Sequence, residues 1–308
     1  MADHMKAAVY KKGRQGKVLE IADLEPSVPN DNEVLLRVRA ASVNPLDWRL
    51  KSPRPGVDVA GEVVAVGGAV TQFKPGDAVF GAGRGTFAEY ACAAETKLAT
   101  KPEGLTFEQA AAIPIAGLTA LQGLRDKGGL RPGQKVLING AAGGIGTFAV
   151  QIAKAFGADV TGVCSTKNVE FVRSLGAGRV IDYTRDDFTQ DSQRYDLLLD
   201  NVGNRTLSAM KRVLGPNGKC IMAGAPKTLW QVFARISDAV FRSLFLRQNF
   251  KFFVAKIKQD DLTTLCELVK AGKLTPVIDR QYSLAESSAA IAYVEEGHAR
   301  AKVIITFQ

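Results

Sequence analysis

The chain has 308 residues, of which 46% are hydrophobic and 23% charged, and its formal net charge is +9 at pH 7. This length allows two domains with separate cores, and the composition excludes a largely disordered chain. The apolar runs are shorter than the ~20 residues of a membrane span, no signal-peptide pattern opens the sequence, and Lys and Arg are scattered without interleaved aromatic residues. We therefore expect a cytoplasmic protein with no membrane span and no specific nucleic-acid partner.

The first hundred residues predict a compact, β-barrel-like domain. Residues 33–41 alternate, with Val34, Leu36 and Val38 on one side, as in a half-buried strand. Clusters of Pro and Gly separate the strand candidates and are typical of turns. Further short strands are predicted at 6–10, 57–66, 77–80 and 87–91, and helices at 106–113 and 118–126.

Cysteine and histidine are too few and too scattered for a metal or disulfide framework. The two histidines, His4 and His298, lie near opposite ends of the chain, so the usual ligands of a catalytic zinc are hard to assemble. No two cysteines form a C-x-x-C pair. The cysteines are Cys92, Cys164, Cys220 and Cys266. We expect neither disulfides nor a bound metal.

Residues 135–146 are typical of a buried strand, a glycine turn and the start of a helix. Gly140, Gly143 and Gly146 give the spacing G-x-x-G-x-x-G, which is looser than the G-x-G-x-x-G of dinucleotide-binding turns and also suits an ordinary glycine-rich turn. The following elements favour the dinucleotide interpretation, because they alternate as in a doubly wound parallel sheet. They are strands at 159–164, 179–182, 197–200 and 218–222 and a helix at 167–175. We predict that Gly143, Gly144 and Ile145 bind a coenzyme pyrophosphate.

The end of the second of these strands indicates which coenzyme fits. In an NAD site, a carboxylate about 20 residues beyond the glycine turn binds the adenosine ribose. Here Ser165, Lys167 and Asn168 follow the strand, with Arg173 further on, and such donors favour a 2′-phosphate. We expect a rim without acidic side chains and a preference for NADPH. The alternative is that Ser165 only caps the helix and Lys167 lies in solvent. Tyr183 either contacts the same phosphate or packs as an ordinary aromatic residue.

The chain after residue 222 predicts an amphipathic segment followed by alternating helices and strands. Residues 229–253 combine apolar and basic side chains at helical spacing. Such a helix lines a pocket or a subunit interface, or else rests on a membrane surface. Helices at 260–271 and 285–296 and strands at 277–282 and 303–307 are expected to return the chain to the first domain.

Several separate motifs, in order along nearly the whole chain, carry a resemblance to a known family. They are ASVNPLDW at 41–48, GVDVAG at 56–61, GTFAEY at 85–90, AAIPIAGLTA at 111–120, the glycine turn, and LGA at 175–177. The sequence resembles the zinc-independent quinone oxidoreductase branch of the medium-chain dehydrogenase/reductase superfamily. The resemblance implies an α/β chain with a GroES-like β-barrel catalytic domain (1–112 and 256–308) and a Rossmann NADPH-binding domain (113–255) with a doubly wound parallel sheet.

The resemblance also implies catalytic-domain residues. Asn44 falls where the family holds the nicotinamide ribose or carboxamide, and Asp47 where it fixes the surrounding loop; these two are the candidate catalytic positions, and Asn44 is also a candidate coenzyme ligand. Trp48 lies on the same segment. The alternative is that Asn44 and Asp47 form a turn with purely local hydrogen bonds.

Further coenzyme contacts are implied in the second domain. Thr119 lies on the helix that enters it, while Asn201 and Gly224 follow sheet strands, where the ligands of doubly wound sheets gather. Simple turn roles for Asn201 and Gly224 remain open. Phe253 and Lys302 are weaker candidates, which we interpret more readily as a packing residue and a solvated one.

The implied activity is NADPH-dependent hydride transfer to a quinone or an α,β-unsaturated carbonyl, in a homodimer. The alternative is an NADPH-binding sensor or crystallin-like protein with little turnover. One departure concerns the substrate pocket, because only residues 49–55 separate Trp48 from Gly56, where relatives carry a longer segment. The pocket is then either wide open or filled by a neighbouring subunit.

Overall fold

The structure, a computed structural model, describes residues 4–13, 16–49, 52–223, 249–297 and 299–307. The chain divides into two compact units. We call Met1–Leu118, Ile257–Lys270 and Pro276–Gln308 the β-rich unit, and Thr119–Lys256 with Ala271–Thr275 the parallel-sheet unit.

The elements of the described ranges are numbered in chain order. The strands are β1 (Met5–Gly13), β2 (Gly16–Leu24), β3 (Glu33–Ser42), β4 (Asp58–Val66), β5 (Ala78–Ala82), β6 (Tyr90–Ala94), β7 (Leu98–Thr100), β8 (Lys135–Asn139), β9 (Asp159–Cys164), β10 (Arg179–Asp182), β11 (Tyr195–Asp200), β12 (Leu214–Met222), β13 (Asn249–Phe252), β14 (Ile278–Ser283) and β15 (Lys302–Thr306). The α-helices are α1 (Leu46–Arg49), α2 (Phe107–Ala111), α3 (Pro114–Gln122), α4 (Gly144–Ala155), α5 (Val169–Ser174), α6 (Leu207–Val213), α7 (Gln259–Lys270) and α8 (Ser287–Glu295).

The β-rich unit is built around β3. This strand pairs with β4, β6 and β15, all antiparallel, in a sheet of order β14-β15-β3-β4-β5-β7, and β1 and β2 form a separate hairpin. Val34, Leu36 and Val38 are at most 2% exposed and belong to one apolar core with Val59 and Phe87. The alternation predicted for this strand is therefore confirmed, and the packed apolar face holds the polar residues that follow β3 in place.

The parallel-sheet unit has the strand order β10-β9-β8-β11-β12-β13, and each neighbouring pair in it is parallel. Numbered from β8, this is the order 3-2-1-4-5-6 of a doubly wound sheet, with its switch point between β8 and β11. The predicted fold class is confirmed for this unit. Asn139 and Asp200, which face each other in register, end the two strands at that switch point.

Three predicted elements need correction. The predicted strand at 87–91 instead spans Tyr90–Ala94, because Phe87 pairs its carbonyl with the amide of Ala8 from the hairpin, at 2.8 Å. The helix predicted at 118–126 begins at Pro114, a residue that suits the first helical position, and continues after Gln122 as a π-helix, Gly123–Gly128.

The third correction concerns the predicted amphipathic helix at 229–253. Its last residues form β13, which lies parallel to β12, so a helix there is wrong; residues 224–248 lie outside the described residues. In the ranges that the structure describes, no helix is long and apolar enough to cross a membrane.

Candidate functional site

A group of buried polar side chains surrounds the end of β3 in the β-rich unit. Each is at most 3% exposed. We call Ser42, Asn44, Asp47, Asp58 and Lys302 the polar cluster. Since buried polar groups are costly without partners, the hydrogen bonds of this cluster decide whether it stabilises the fold.

Asp47 ties two chain segments together through backbone amides. Its Oδ2 accepts a hydrogen bond from the amide of Asn44 at 2.7 Å, and its Oδ1 accepts one from the amide of Gly56 at 3.1 Å. Gly56 has φ +100°, and a Cβ there would lie 2.5 Å from Oγ1 of Thr86. The Asp47 carboxylate therefore links the chain before the short segment 49–55 to Gly56, the residue that follows it.

The Asn44 amide is held on both sides by distant residues. Its Nδ2 donates to Oδ2 of Asp58 at 2.8 Å and to the Ser42 carbonyl at 3.1 Å, while its Oδ1 accepts from Nζ of Lys302 at 2.7 Å. The local turn exists, through Asp47, but the Asn44 side chain reaches well beyond it. An interpretation with purely local hydrogen bonds is therefore wrong for Asn44.

Lys302 is buried rather than solvated, so the sequence interpretation of this residue is wrong. Its side chain is 4% exposed, and Nζ also donates to the Val43 carbonyl at 3.3 Å and lies 3.7 Å from Oδ2 of Asp58. The preceding residue, Ala301, has φ +67° and is the one non-glycine residue of the described ranges with a positive φ. This left-handed conformation costs roughly 1–2 kcal/mol.

Burial dominates the ionisation of the cluster. Desolvation raises the pKa of Asp47 to about 7, although the two backbone amides oppose the shift. Desolvation also raises the pKa of Asp58 and lowers that of Lys302, while their mutual attraction works against both shifts. Asp58 keeps good carboxylate partners, since Ser42 Oγ and the Ile115 amide donate to it at 2.6 and 3.0 Å.

The glycine turn of the parallel-sheet unit leaves a helix N-terminus uncapped. Gly140 has φ +79°, and a Cβ on Gly146 would lie 2.0 Å from the Gly140 carbonyl oxygen, so both positions require glycine. Gly143 is the N-cap of α4 and offers no side chain to the first amides. Gly143, Gly144 and Ile145 are partly exposed. Unpaired amides at such an end bind anions, so the turn fits a pyrophosphate.

Next to this turn, the loop after β11 contains buried polar atoms without partners. Asp200 Oδ1 accepts from Asn139 Nδ2 and from the Gly203 amide, both at 2.9 Å. By contrast, Asp200 Oδ2 and both amide atoms of Asn201 are buried and find no hydrogen-bond partner among the described residues. An orphaned amide at the switch point of a doubly wound sheet is suited to hydrogen-bond a polar ligand group.

The segment after β9 presents an unpaired cation. Ser165 makes no side-chain cap, and its Oγ instead accepts from Asn168 Nδ2 at 3.3 Å, so the capping alternative is wrong for this residue. Lys167 is exposed and has no hydrogen bond or ion pair with a described residue. Tyr183 is 52% exposed, and its amide donates to the Cys164 carbonyl at 3.0 Å. These residues form one open edge of the sheet.

A carboxylate that sequence reasoning missed lies at the same edge. Asp182 ends β10 and pairs in register with Cys164, the last residue of β9. Its oxygens accept hydrogen bonds from Thr166 Oγ1 at 2.6 Å and Thr184 Oγ1 at 2.8 Å. The expectation of a rim without acidic side chains is therefore wrong. The predicted strand 179–182 gave a partial signal, because adjacent parallel strands end at one edge, but the register that brings Asp182 to Cys164 comes from the structure.

The remaining predicted coenzyme residues are Thr119, Phe253 and Gly224. Thr119 lies on α3 and is 8% exposed. Phe253 is 8% exposed and its ring packs against Gly123, where a Cβ would lie 3.3 Å from the ring. Gly224 lies outside the described residues.

Comparison with known proteins assigns the chain to a family. It is 35% identical to a chloroplast envelope quinone oxidoreductase homolog of Arabidopsis thaliana, over 96% of this chain and 95% of the relative. The chain belongs to the quinone oxidoreductase family of the medium-chain dehydrogenase/reductase superfamily. Another relative, 32% identical over 98% of this chain and 89% of its own length, is the mitochondrial NAD(P)H oxidoreductase RTN4IP1 of Mus musculus.

Models of the two domains and a solved structure agree with this membership. Residues 30–103 match the alcohol dehydrogenase GroES-like domain, and residues 175–305 match the zinc-binding dehydrogenase model. The quinone oxidoreductase of Coxiella burnetii superposes with a TM-score of 0.87 at 29% identity, covering 99% of this chain and all of that one. The GroES-like fold predicted for the first domain is thereby confirmed, and this quinone oxidoreductase family member is an NAD(P)H-type oxidoreductase.

One of these family models is named for zinc-binding dehydrogenases. Among the described residues, no group of three or more His, Cys, Asp or Glu side chains is arranged to hold a metal ion.

Proposed function

We propose that this chain transfers a hydride from NADPH to a quinone or an α,β-unsaturated carbonyl compound. The observation that carries the proposal is the unpartnered Asn201 amide beside the uncapped start of α4, at the switch point of the parallel sheet. The relatives' quinone oxidoreductase names give the substrate class. Quinones and conjugated carbonyls accept hydride in the same way, because both delocalise the resulting negative charge onto an oxygen.

The residues of the parallel-sheet unit fit a dinucleotide in three parts. The amides of Gly144 and Ile145 hold the pyrophosphate beside Gly143, whose own amide donates to the Gly140 carbonyl at 3.1 Å and which lets the backbone approach the phosphates. Asn201 binds a hydroxyl of the nicotinamide ribose. Thr119 and Phe253 complete the same surface as a polar group and a packing ring. When bound, the coenzyme supplies the hydride, and the protein's part is to bind, orient and exclude water.

The preference for NADPH over NADH is supported by the donors after β9. Lys167 is exposed and has no partner among the described residues. With Ser165, Asn168 and Tyr183 it forms a donor set that suits a 2′-phosphate. When a 2′-phosphate contacts Lys167, the ammonium group replaces water with a charge-assisted hydrogen bond to the phosphate.

In the β-rich unit, Asn44 and Asp47 are proposed to serve the reaction through a rigid loop. Both Asn44 amide hydrogens are committed to protein acceptors, and its Oδ1 keeps one lone pair besides that used by Lys302. That lone pair accepts a ribose hydroxyl or carboxamide hydrogen, and Asp47 fixes the backbone that presents it. We further propose that the chain forms a homodimer, since closed two-fold dimers are the usual oligomer. Its proposed location is the cytoplasm.

The coenzyme assignment is tested by replacing Lys167 with alanine. We expect NADPH binding to weaken by about 1–3 kcal/mol, the range for a hydrogen bond to a charged group, with NADH binding nearly unchanged. Titration calorimetry with both coenzymes measures the effect, followed by turnover with a panel of quinones, enals and enones. Lys135→Ala, which removes an exposed charge at the opposite end of β8, is the control. Equal losses for both coenzymes contradict the assignment.

A further inference from the structure

The carboxylate of Asp182 is held tightly in place at the edge of the parallel sheet. Oδ2 accepts from Thr166 Oγ1 at 2.6 Å, and Oδ1 accepts from the amide and hydroxyl of Thr184 at 3.0 and 2.8 Å. The two hydroxyls also lie 2.8 Å apart. Only 12% of the Asp182 side chain is exposed. A carboxylate with three donors in fixed positions is a permanent local negative charge.

This charge stands beside the segment that carries the coenzyme donors. Thr166 lies between Ser165 and Lys167 in one 3-10 turn, and its hydroxyl is turned to Asp182. The hydrogen bonds of Thr166 and Thr184 lower the pKa of Asp182, so the group is ionised at neutral pH. Among the described residues, Arg185 forms an ion pair with this carboxylate, its Nε lying 3.8 Å from Oδ2.

The occupied oxygens decide between two roles for Asp182. A carboxylate that binds adenosine ribose hydroxyls needs free lone pairs directed at them. Here three donors already occupy three of the roughly four acceptor positions of the Asp182 carboxylate, so its charge is its larger remaining influence on a ligand. A negative charge repels a 2′-phosphate, which carries close to two negative charges, and leaves an uncharged ribose hydroxyl little affected.

We propose that Asp182 sets the coenzyme selectivity of this site, by opposing the attraction of Lys167 for a 2′-phosphate and so keeping NADH usable. The inference rests on the proposed coenzyme function. Asp182 is then a specificity-determining residue that acts in two ways. Its negative charge repels the phosphate, and it accepts the hydrogen of the Thr166 hydroxyl, which is therefore not available to the phosphate. Lys167 then attracts the 2′-phosphate of the coenzyme, and Asp182 repels it.

The test compares coenzyme binding by the wild type and Asp182→Asn. Asparagine keeps an acceptor for Thr184 and removes the charge. We expect NADPH and 2′,5′-ADP to bind about two- to tenfold more tightly, consistent with removing one partly screened charge near a dianion, and NADH and 5′-AMP to change by less than about twofold. Titration calorimetry with the four ligands measures this without turnover.

Asp159→Asn is the matched control, since it removes the same charge from an exposed position at the start of β9, the other end of that strand. We expect its ratio of NADPH to NADH affinity to equal that of the wild type. If Asp182→Asn leaves the ratio of NADPH to NADH affinity unchanged, or shifts it toward NADH, the inference is overturned while the coenzyme function stays intact. A wild type that binds none of the four ligands overturns the coenzyme function itself. A circular dichroism melt of each variant establishes that the fold is retained.

Discussion

The polar cluster and the loop after β11 both bury polar groups, yet they treat them in opposite ways. In the polar cluster, Asn44 and Asp58 spend their side-chain atoms on protein partners within 3.1 Å. In the loop after β11, Asp200 Oδ2 and the Asn201 amide are buried without a partner among the described residues. The first arrangement has its protein partners as soon as the chain folds, with one lone pair of Asn44 left over, whereas the polar atoms of the second have no such partner in the folded chain.

We propose that this difference distinguishes groups that chiefly stabilise the fold from groups that chiefly bind the coenzyme. Removing a member of a satisfied buried network leaves its partner unpaired, which is costly. Removing an already unsatisfied group takes away a desolvation penalty and leaves stability nearly unchanged. Variants of the polar cluster should therefore lose more stability than coenzyme binding, and variants of Asn201 should lose more coenzyme binding than stability.

The largest effect is expected from Lys302→Met. Methionine keeps most of the volume but leaves Asp58 as a buried carboxylate without its cation, and breaking such a pair costs about 3–5 kcal/mol. Urea unfolding at pH 7 measures the loss. Adding Asp58→Asn in the same chain is expected to recover part of it, because the unpaired charge is then absent.

Lys74→Met is the control for this prediction. Lys74 Nζ lies 2.8 Å from Asp77 Oδ1, but its side chain is 81% exposed. We expect a loss below about 1 kcal/mol, as is usual for surface ion pairs. If Lys302→Met costs no more than Lys74→Met, the description of the polar cluster as a satisfied and stabilising network is wrong.

A pH-dependent effect of intermediate size is expected from Asp47. Its pKa is about 7 in the folded protein against an ordinary value of 3.8, so the native state retains a proton that the unfolded state has lost. The associated stability is fully present below about pH 4 and is lost as the pH rises through 7. Between pH 5 and 8, the free energy of unfolding should fall by about 2–3 kcal/mol from this group.

Asp47→Asn removes this titrating carboxyl group, so the fall in the free energy of unfolding between pH 5 and 8, measured by urea unfolding, should shrink by about 2–3 kcal/mol. Asp159→Asn, at an exposed position, should leave the fall as in the wild type. A fall of equal size in Asp47→Asn would mean that another group carries the pH dependence.

The two regions also differed in how far the sequence could predict them. The family resemblance implied the position of Asn201, and the local pattern agreed with it, because the carboxyl ends of parallel strands collect ligand groups. The burial of Lys302 did not, since its partner Asn44 lies 258 residues away and lysine is normally solvated. Asp182 escaped prediction for a similar reason: only the register of β10 against β9 places it opposite Cys164. Elements with a strong apolar period were predictable, whereas contacts set by long-range pairing were not.

The smallest effect on stability, and the clearest one on binding, is expected from Asn201→Ala. Because the amide has no partner among the described residues, its removal should change the free energy of unfolding by less than about 1 kcal/mol. NADPH binding should weaken by about 1–2 kcal/mol, since a ligand hydrogen bond to a buried group is lost. Asn204→Ala in the same loop is the control: its Oδ1 accepts from Asn139 at 3.2 Å, so it should lower stability more than binding. If Asn201→Ala instead unfolds more readily and binds NADPH as the wild type does, the orphaned amide is a structural group and the contrast between the two regions fails.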